Sequence, residues 1–364
     1  MKLLGFTFLI FLLTSCTQPV SDTPIRVPYD PDLNGWRTAS WAPFGMNDRI
    51  ADFAFGNTAN GGRYIAVSST GVIAWSNNGD IWHRAAVETL GAHFAINAVA
   101  FGTPKGVPVF VAVGNGGLFA FSYDGKEWSV FPMGGGFENS DNIRGITWGG
   151  GMFVAVGDRA RKAYSFDGIY WSDSRDSAFG TAQLNDIAFD PASGRFFIVG
   201  NGGNRGWSTA PSLGNWNHHG HNNPVGNEMG ADNILRLTIG RYGNNTGIGV
   251  IHVRGGHRIP AIATTLDNFA GWDMDLEIEV GWAQNMNGIT WGTTCNVTGN
   301  GNFVIAGTAA VIGFWPSDQP SVNAQRHWRA LPFHEFIYWE ITSVAALNGR
   351  FFVGGIAGRI GYSR

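Results

Sequence analysis

One seven-residue pattern recurs seven times along the chain. It runs large apolar, two variable positions, large apolar, small, then usually an aromatic and a glycine. The copies are Ile50–Gly56, Ile96–Gly102, Ile143–Gly149, Leu184–Asp190, Ile234–Gly240, Met286–Gly292 and Ile341–Leu347. Position four is always bulky: Phe53, Val99, Ile146, Ile187, Leu237, Ile289, Val344. Position five is always Ala or Thr: Ala54, Ala100, Thr147, Ala188, Thr238, Thr290, Ala345. Successive side chains of a strand point to opposite faces, so this alternation predicts strands with one bulky and one small face. Sheets built this way stack bulky face on small face, and the stack returns on itself as a ring.

Further apolar runs predict a second strand in each unit: Tyr64–Val67, Phe110–Val113, Phe153–Val156, Phe197–Val199, Ile248–Ile251, Phe303–Ala306 and Phe352–Val353. A third carries a small residue, an aromatic and Ser, as in Ala74-Trp75-Ser76, Ala120-Phe121-Ser122, Ala163-Tyr164-Ser165, Gly206-Trp207-Ser208 and Gly361-Tyr362-Ser363. A Trp marks the fourth: Trp82, Trp128, Trp171, Trp216, Trp272 and Trp328, spaced by 46, 43, 45, 56 and 56 residues. Repeats of this length and make-up predict an all-β chain, a seven-bladed β-propeller of four-stranded antiparallel blades. The seventh unit reaches Arg364 without its Trp, and Asn34-Gly35-Trp36-Arg37 supplies one. Trp36 precedes Ile50 by 14 residues, as Trp82 precedes Ile96 and Trp272 precedes Met286. The last blade is therefore expected to be closed by the N-terminal strand, with the propeller spanning residues 34–364.

The first residues have a different character. Lys2 is followed by an apolar run of 11 residues, Leu3–Leu13. A membrane-spanning helix needs about 20, so residues 1–15 read as a signal peptide. Leu13-Thr14-Ser15-Cys16 resembles the bacterial lipobox. That resemblance implies cleavage before Cys16, a lipid on its thiol and an acylated N-terminus. The protein is then expected in the bacterial cell envelope, lipid-anchored to a membrane on its periplasmic or extracellular side. Residues 16–33, rich in Pro, Asp and Thr, read as a lipidated tether.

Composition adds three limits. With Cys16 lipidated, Cys295 has no intramolecular partner, so stability is expected from a core rather than a disulfide. A formal charge of -3 gives no electrostatic case for nucleic acid. Charged residues make up 14% of the chain, against about 25% in ordinary domains, and 53 glycines serve a turn-rich fold. A monomer is expected, and no cofactor is indicated.

Ser122-Tyr-Asp124-Gly125-Lys-Glu-Trp128 and Ser165-Phe-Asp167-Gly168-Ile-Tyr-Trp171 resemble the Asp-box of sialidase-type propellers, and Ser76-Asn-Asn78-Gly79-Asp-Ile-Trp82 is a degenerate copy. The family pattern has one more residue between Asp and Gly. The resemblance implies a turn between third and fourth strands, away from the ligand face. There Asp caps backbone N–H groups, Gly takes a positive φ and Trp packs between blades, so Asp124, Asp167, Trp128 and Trp171 are expected to be structural. The repeated wording is also similar to spirochaete-type lipoproteins. Plant and cyanobacterial photosystem assembly factors share the seven-bladed architecture and related turns.

The first strand of each blade lines the central channel, and the resemblance places ligands at the end where it begins. Positions two and three are often polar there: Asp52, Asn97, Arg144, Asn185, Asp186, Arg236, Asn287, Thr342 and Ser343. Leading loops add aromatics, among them Phe44, Phe94, Phe137, Trp282, Tyr338 and Trp339. Polar groups ringed by aromatics suit a peptide or a sugar, so the chain reads as a binding module for a protein or carbohydrate partner. The rival readings are a glycan-acting hydrolase and a scaffold for an envelope complex. Hydrolysis calls for two carboxyl groups roughly 5–9.5 Å apart, and Asp52 and Asp186 come from opposite sides of the ring. Sialidase chemistry needs three arginines and a Tyr–Glu pair, of which Arg144 and Arg236 are candidates. His257-Arg258-Ile259-Pro260 echoes a sialidase segment but follows the boxes instead of preceding them. His218, His219 and His221 read as a surface loop, with a transition-metal site as the alternative. Asp273, Asp275, Glu277 and Glu279 alternate with Met274, Leu276, Ile278 and Val280. They read as the charged face of an edge strand, with a calcium site as the alternative.

Overall fold

Residues 36–87, 94–132, 134–174, 177–219, 232–242, 245–254, 257–264, 285–292, 302–308, 312–316, 329–331 and 340–363 are described in the computed structural model. They belong to one compact unit, Leu33–Arg364. Among them the strands form seven sheets and there is no α-helix. Each of the seven motifs begins a sheet. The first strands are Ile50–Thr58, Ile96–Gly102, Ile143–Gly149, Leu184–Asp190, Asn233–Tyr242, Met286–Gly292 and Ile341–Leu347. Second and third strands follow, each antiparallel to the one before. A fourth is present in every sheet but the fifth, where residues 265–284 lie outside the described residues. Trp36–Thr38 pairs antiparallel with the third strand of sheet seven, Ile360–Ser363, in the register Trp36 to Ser363 and Thr38 to Gly361.

The predicted division of labour between positions four and five sets the packing. All seven position-four residues are buried. Ala54 of sheet one packs with Val99 of sheet two, Ala100 with Ile146, Ala188 with Leu237, and Ala345 of sheet seven with Phe53 of sheet one. The first strand of each sheet lies against that of the next, and that of sheet seven against that of sheet one.

Positions six and seven interlock in the same sense. A methyl group on Gly56 would lie 2.1 Å from the Phe101 ring, one on Gly149 2.0 Å from Phe189, and one on Gly240 2.2 Å from Trp291. The glycine ending one motif is the recess for the aromatic of the next. The motif therefore ends in aromatic–Gly because neighbouring copies need each other's shape. Trp36 is buried with Val304, Ile312, Ile341 and Val353, so the N-terminal strand seals the seam between sheets six and seven.

The Asp-box-type turns repeat their geometry bond for bond. Ser122 Oγ accepts the Gly125 N–H at 2.8 Å, and Asp124 Oδ1 accepts those of Lys126 and Glu127 at 2.7 and 3.0 Å. The Trp128 indole donates to the Gly125 carbonyl at 3.1 Å. Ser165, Asp167, Gly168 and Trp171 make the same bonds, as do Ser76, Asn78, Gly79 and Trp82. The three glycines take φ of 76°, 80° and 79°. Gly168 approaches Val111 and Phe153, leaving no room for a side chain. Burial works against the Asp124 and Asp167 charges, but the N–H groups aimed at them prevail and hold both carboxyls below the usual range.

Candidate functional site at the start of the inner strands

All seven first strands share a feature that the sequence did not announce. Register slips by one residue between positions one and three: Ile50/Asp52, Ile96/Ala98, Ile143/Gly145, Leu184/Asp186, Ile234/Arg236, Met286/Gly288 and Ile341/Ser343. A β-bulge leaves the extra residue unpaired and re-aims its side chain. Position two is that residue. Its side chain reaches sideways to the next sheet: Asn97 Nδ2 donates to the Ile143 carbonyl at 2.8 Å, Asn185 to Ile234 at 2.7 Å, Asn287 to Ile341 at 2.6 Å, and Thr342 Oγ1 to Ile50 at 2.7 Å. The same contact thus recurs between successive sheets, including from seven to one. These polar residues clamp neighbouring sheets.

Position three holds Asp52, Asp186 and Arg236, while the charged Arg144 stands at position two. Asp52 accepts the N–H of Phe53 at 2.8 Å on one oxygen and that of Val99, one sheet on, at 3.0 Å on the other. Asp186 bridges Ile187 and Leu237 identically, at 2.8 and 3.0 Å. Burial pushes Asp52 up to about 7, against the pull of its two N–H partners; the Asp186 charge raises it further and Arg236 lowers it. Asp186 is also raised, chiefly by burial, with Arg236 the main opposing influence. The two carboxyl groups and the guanidinium therefore share one electrostatic environment, although they come from sheets one, four and five.

Sheet three departs from sheets two and four. In sheets two and four the second strand ends in Gly-Asn-Gly-Gly, residues 114–117 and 200–203, and the last two glycines take φ between 65° and 68°. The Asn of each turn accepts from position two: Asn97 to Asn115 and Asn185 to Asn201, both at 2.8 Å. Sheet three has Gly157-Asp158-Arg159-Ala160 instead. Arg159 and Ala160 hold the left-handed conformation, both at φ 56°, and the neutral Asn pair becomes an ion pair, Arg144 Nε to Asp158 Oδ1 at 2.7 Å. Arg159 lies 2.6 Å from buried Asp141 and 3.0 Å from Glu138. Arg161 reaches the same two acids at 2.9 and 2.7 Å. Glu138, Asp141, Asp158, Arg159 and Arg161 were not singled out from sequence. Laying Gly-Asp-Arg-Ala against the two Gly-Asn-Gly-Gly turns is the signal that finds them.

Other candidates disperse. Trp282, Trp339, Cys16, His221 and the acidic stretch 273–279 lie outside the described residues. His218 and His219 end the fourth strand of sheet four, Asn215–His219, rather than forming a loop. His218 Nε2 contacts Asn204 Oδ1 at 2.7 Å and its ring meets Phe179 edge-on. Burial first, then the Arg205 charge, lowers His219 below the usual imidazole value. Among the described residues no three metal-ligating side chains converge.

Antiparallel sheets stacked first strand against first strand define the class: this is a β-propeller. No protein-family model matches the sequence, and no curated protein does. Solved structures do. YCF48 bound to D1 peptide superposes with a TM-score of 0.63 at 17% identity, over 91% of this chain and 97% of that one. YCF48 from Cyanidioschyzon merolae gives 0.62 at 14%, over 91% and 99%. The WD40 β-propeller domain of Doa1 gives 0.57 at 13%, over 90% and 95%. At these identities the likeness carries the fold alone.

Proposed function

We propose that the chain is a lipid-anchored protein of the bacterial cell envelope, held by Cys16, whose propeller captures an extended segment of a protein partner where the inner strands begin. We read the propeller as seven-bladed, from the seven motif-bearing sheets, and as closed by the N-terminal strand, from the pairing of Trp36–Thr38 with Gly361–Ser363. The observation that carries the binding role is the turn of sheet three. A left-handed residue other than glycine costs about 1–2 kcal/mol. Two stand in succession where the turns of sheets two and four use two glycines and that of sheet seven uses one, Gly358 after Ala357, and the first is an arginine 46% exposed on its side chain. Ala357 holds the same φ in sheet seven, so what sets sheet three apart is the pair of strained residues together with an exposed arginine at the first of them. Arginine is a common interface anchor. The YCF48 structure that this chain resembles holds a peptide, which supports a peptide as the ligand class. Asp52, Asn97, Arg144, Asn185, Asp186, Arg236 and Asn287 stand at positions two and three of the first strands and belong to the same reading.

The glycan-hydrolase alternative draws on one observation, the raised carboxyl groups of Asp52 and Asp186, since perturbed carboxyls often mark acid–base sites. Each already bridges N–H groups of two sheets, and that duty accounts for its burial.

Binding of the mature protein to a library of extended peptides tests the reading. Arg159→Ala should weaken the selected peptides about tenfold, the loss typical of an anchor residue, when binding is measured well below an unfolding midpoint that loss of the Asp141 ion pair lowers. Equal binding by wild type and variant would remove the site. Glycoside or sialoside turnover lost in folded Asp52→Asn would favour the hydrolase. Palmitate labelling of the wild type and not of Cys16→Ala checks the anchor.

A further inference from the structure

Neighbouring first strands touch at positions one residue apart in the motif, position two to position one in Asn97 to Ile143 and position three to position four in Asp52 to Val99. The first strands therefore run in one direction at one height, and the ends of the sheets fall on two faces of this unit. One face carries the loops into each first strand and the turns between second and third strands, including Arg159. The other carries the turns between first and second and between third and fourth strands.

Exposed apolar side chains collect on this second face. Ile81, Val107, Tyr123, Phe166, Tyr170 and Leu213 all belong to its turns and are 45% to 80% exposed. They come from four successive sheets: Ile81 from the first, Val107 and Tyr123 from the second, Phe166 and Tyr170 from the third, Leu213 from the fourth. The opposite face shows Met46 and Phe94 in its loops. Tyr123 and Phe166 hold the same place in their turns, directly after the capping Ser, and Ile81 and Tyr170 both precede the Trp. The turn geometry needs neither to be apolar, because Asn77 and Glu127 fill the same places elsewhere.

The chain from the N-terminus enters on this same face. Trp36 lies opposite Ser363, the end of a third strand, and the other sheets start their third-to-fourth turns at the equivalent Ser76, Ser122, Ser165 and Ser208. Between Cys16 and Trp36 lie 19 residues, a length of chain that spans at most about 65 Å at full stretch. A lipid on Cys16 would keep this face within reach of the bilayer. Aromatic side chains with one apolar body and one polar tip favour the headgroup boundary.

We propose that this face rests on the lipid bilayer, with Tyr123, Phe166 and Tyr170 at its centre and the Arg159 face turned away from the membrane. The proposal rests on the lipid anchor. A bilayer fits better than a protein partner because the anchored segment joins the propeller at this face.

The test uses the full mature, lipidated chain in phosphatidylethanolamine–phosphatidylglycerol vesicles. Tyr123→Cys, Tyr170→Cys and Met46→Cys, each combined with Cys295→Ser, are labelled with an environment-sensitive fluorophore. Nitroxide-bearing lipids should quench positions 123 and 170 at least twofold and leave position 46 unaffected. Protein that floats with vesicles but shows no quenching at 123 and 170, or equal quenching at 46, overturns the orientation and leaves the anchor standing. Protein that does not float, with an unmodified Cys16 by mass spectrometry, overturns anchor and orientation together. A second measurement needs no label: the triple exchange Tyr123→Ser, Phe166→Ser, Tyr170→Ser in unanchored Cys16→Ala protein should abolish its residual vesicle binding while near-ultraviolet dichroism is kept. Unchanged binding also overturns the proposal.

Discussion

A carboxamide and two carboxylates do one job in this protein. Asn78, Asp124 and Asp167 each accept two turn N–H groups on Oδ1. The oxygen is what the turn needs, and the charge is incidental. Asp124→Ala should therefore lower stability by about 1 kcal/mol, the usual worth of a side-chain hydrogen bond, and Asp124→Asn should cost clearly less. The charge matters only for pH dependence. The folded protein holds Asp124 and Asp167 below their ordinary value, so their contribution is present above the unfolded pKa of about 3.9 and fades as pH falls through the lower folded one. Urea midpoints of wild type and both variants, at neutral and acid pH, decide the matter; an Asn variant as weak as the Ala variant would mean that charge is essential. These turns were legible in sequence because Ser, Asp, Gly and Trp each have a fixed task there. Arg159 was not, because an arginine in a polar stretch looks ordinary until its sister glycines are laid beside it.

Among the strands, the seven motifs revealed their positions four and five because burial enforces a contrast of size. The bulge stayed hidden, since Asn97, Asn185 and Asn287 look like any channel-lining residues in a period-two reading. Only the slip of register turns them towards the next sheet. Asp52 and Asp186 extend the device with charge, and they carry a pH dependence opposite in sign to that of the turns. Burial raises Asp52 in the folded state to about 7. Its unfolded value is about 3.9, so the folded state keeps the proton longer and stability declines as pH rises between the two values. Asp52→Asn should flatten part of that decline, read as the difference in unfolding midpoint between about pH 5 and about pH 7.5. An unchanged slope would show that the carboxyl is ionised throughout. The fourth strands were the least legible of the elements. Where a fourth strand is described the Trp marker is right in place, but in sheet one the strand is only His83–Arg84 and in sheet three only Ser172–Asp173, both beginning just after it.

For the whole molecule, the segment at Trp36 carries unusual weight. Its ring sits in the core between sheets six and seven, so Trp36→Ala should cost about 3–5 kcal/mol, as large-to-small core exchanges of aromatics do. Deleting residues 34–43 should lower the thermal midpoint of the entire propeller in one transition. An unchanged midpoint would mean that the segment only decorates sheet seven. The pairing of Trp36–Thr38 with Gly361–Ser363 also dictates an order of events. The first strand of the propeller to be synthesised waits, unpaired, for the last. Bringing together ends roughly 320 residues apart costs about 5 kcal/mol in chain entropy before a single contact is gained. That step belongs at the end of folding, once the intervening sheets have shortened the gap. Until then the third strand of sheet seven presents a free edge, which the N-terminal strand of a second chain fits as well as its own. At high concentration, refolding should then yield dimers linked by exchanged strands, and a synthetic peptide of residues 34–43 should suppress them.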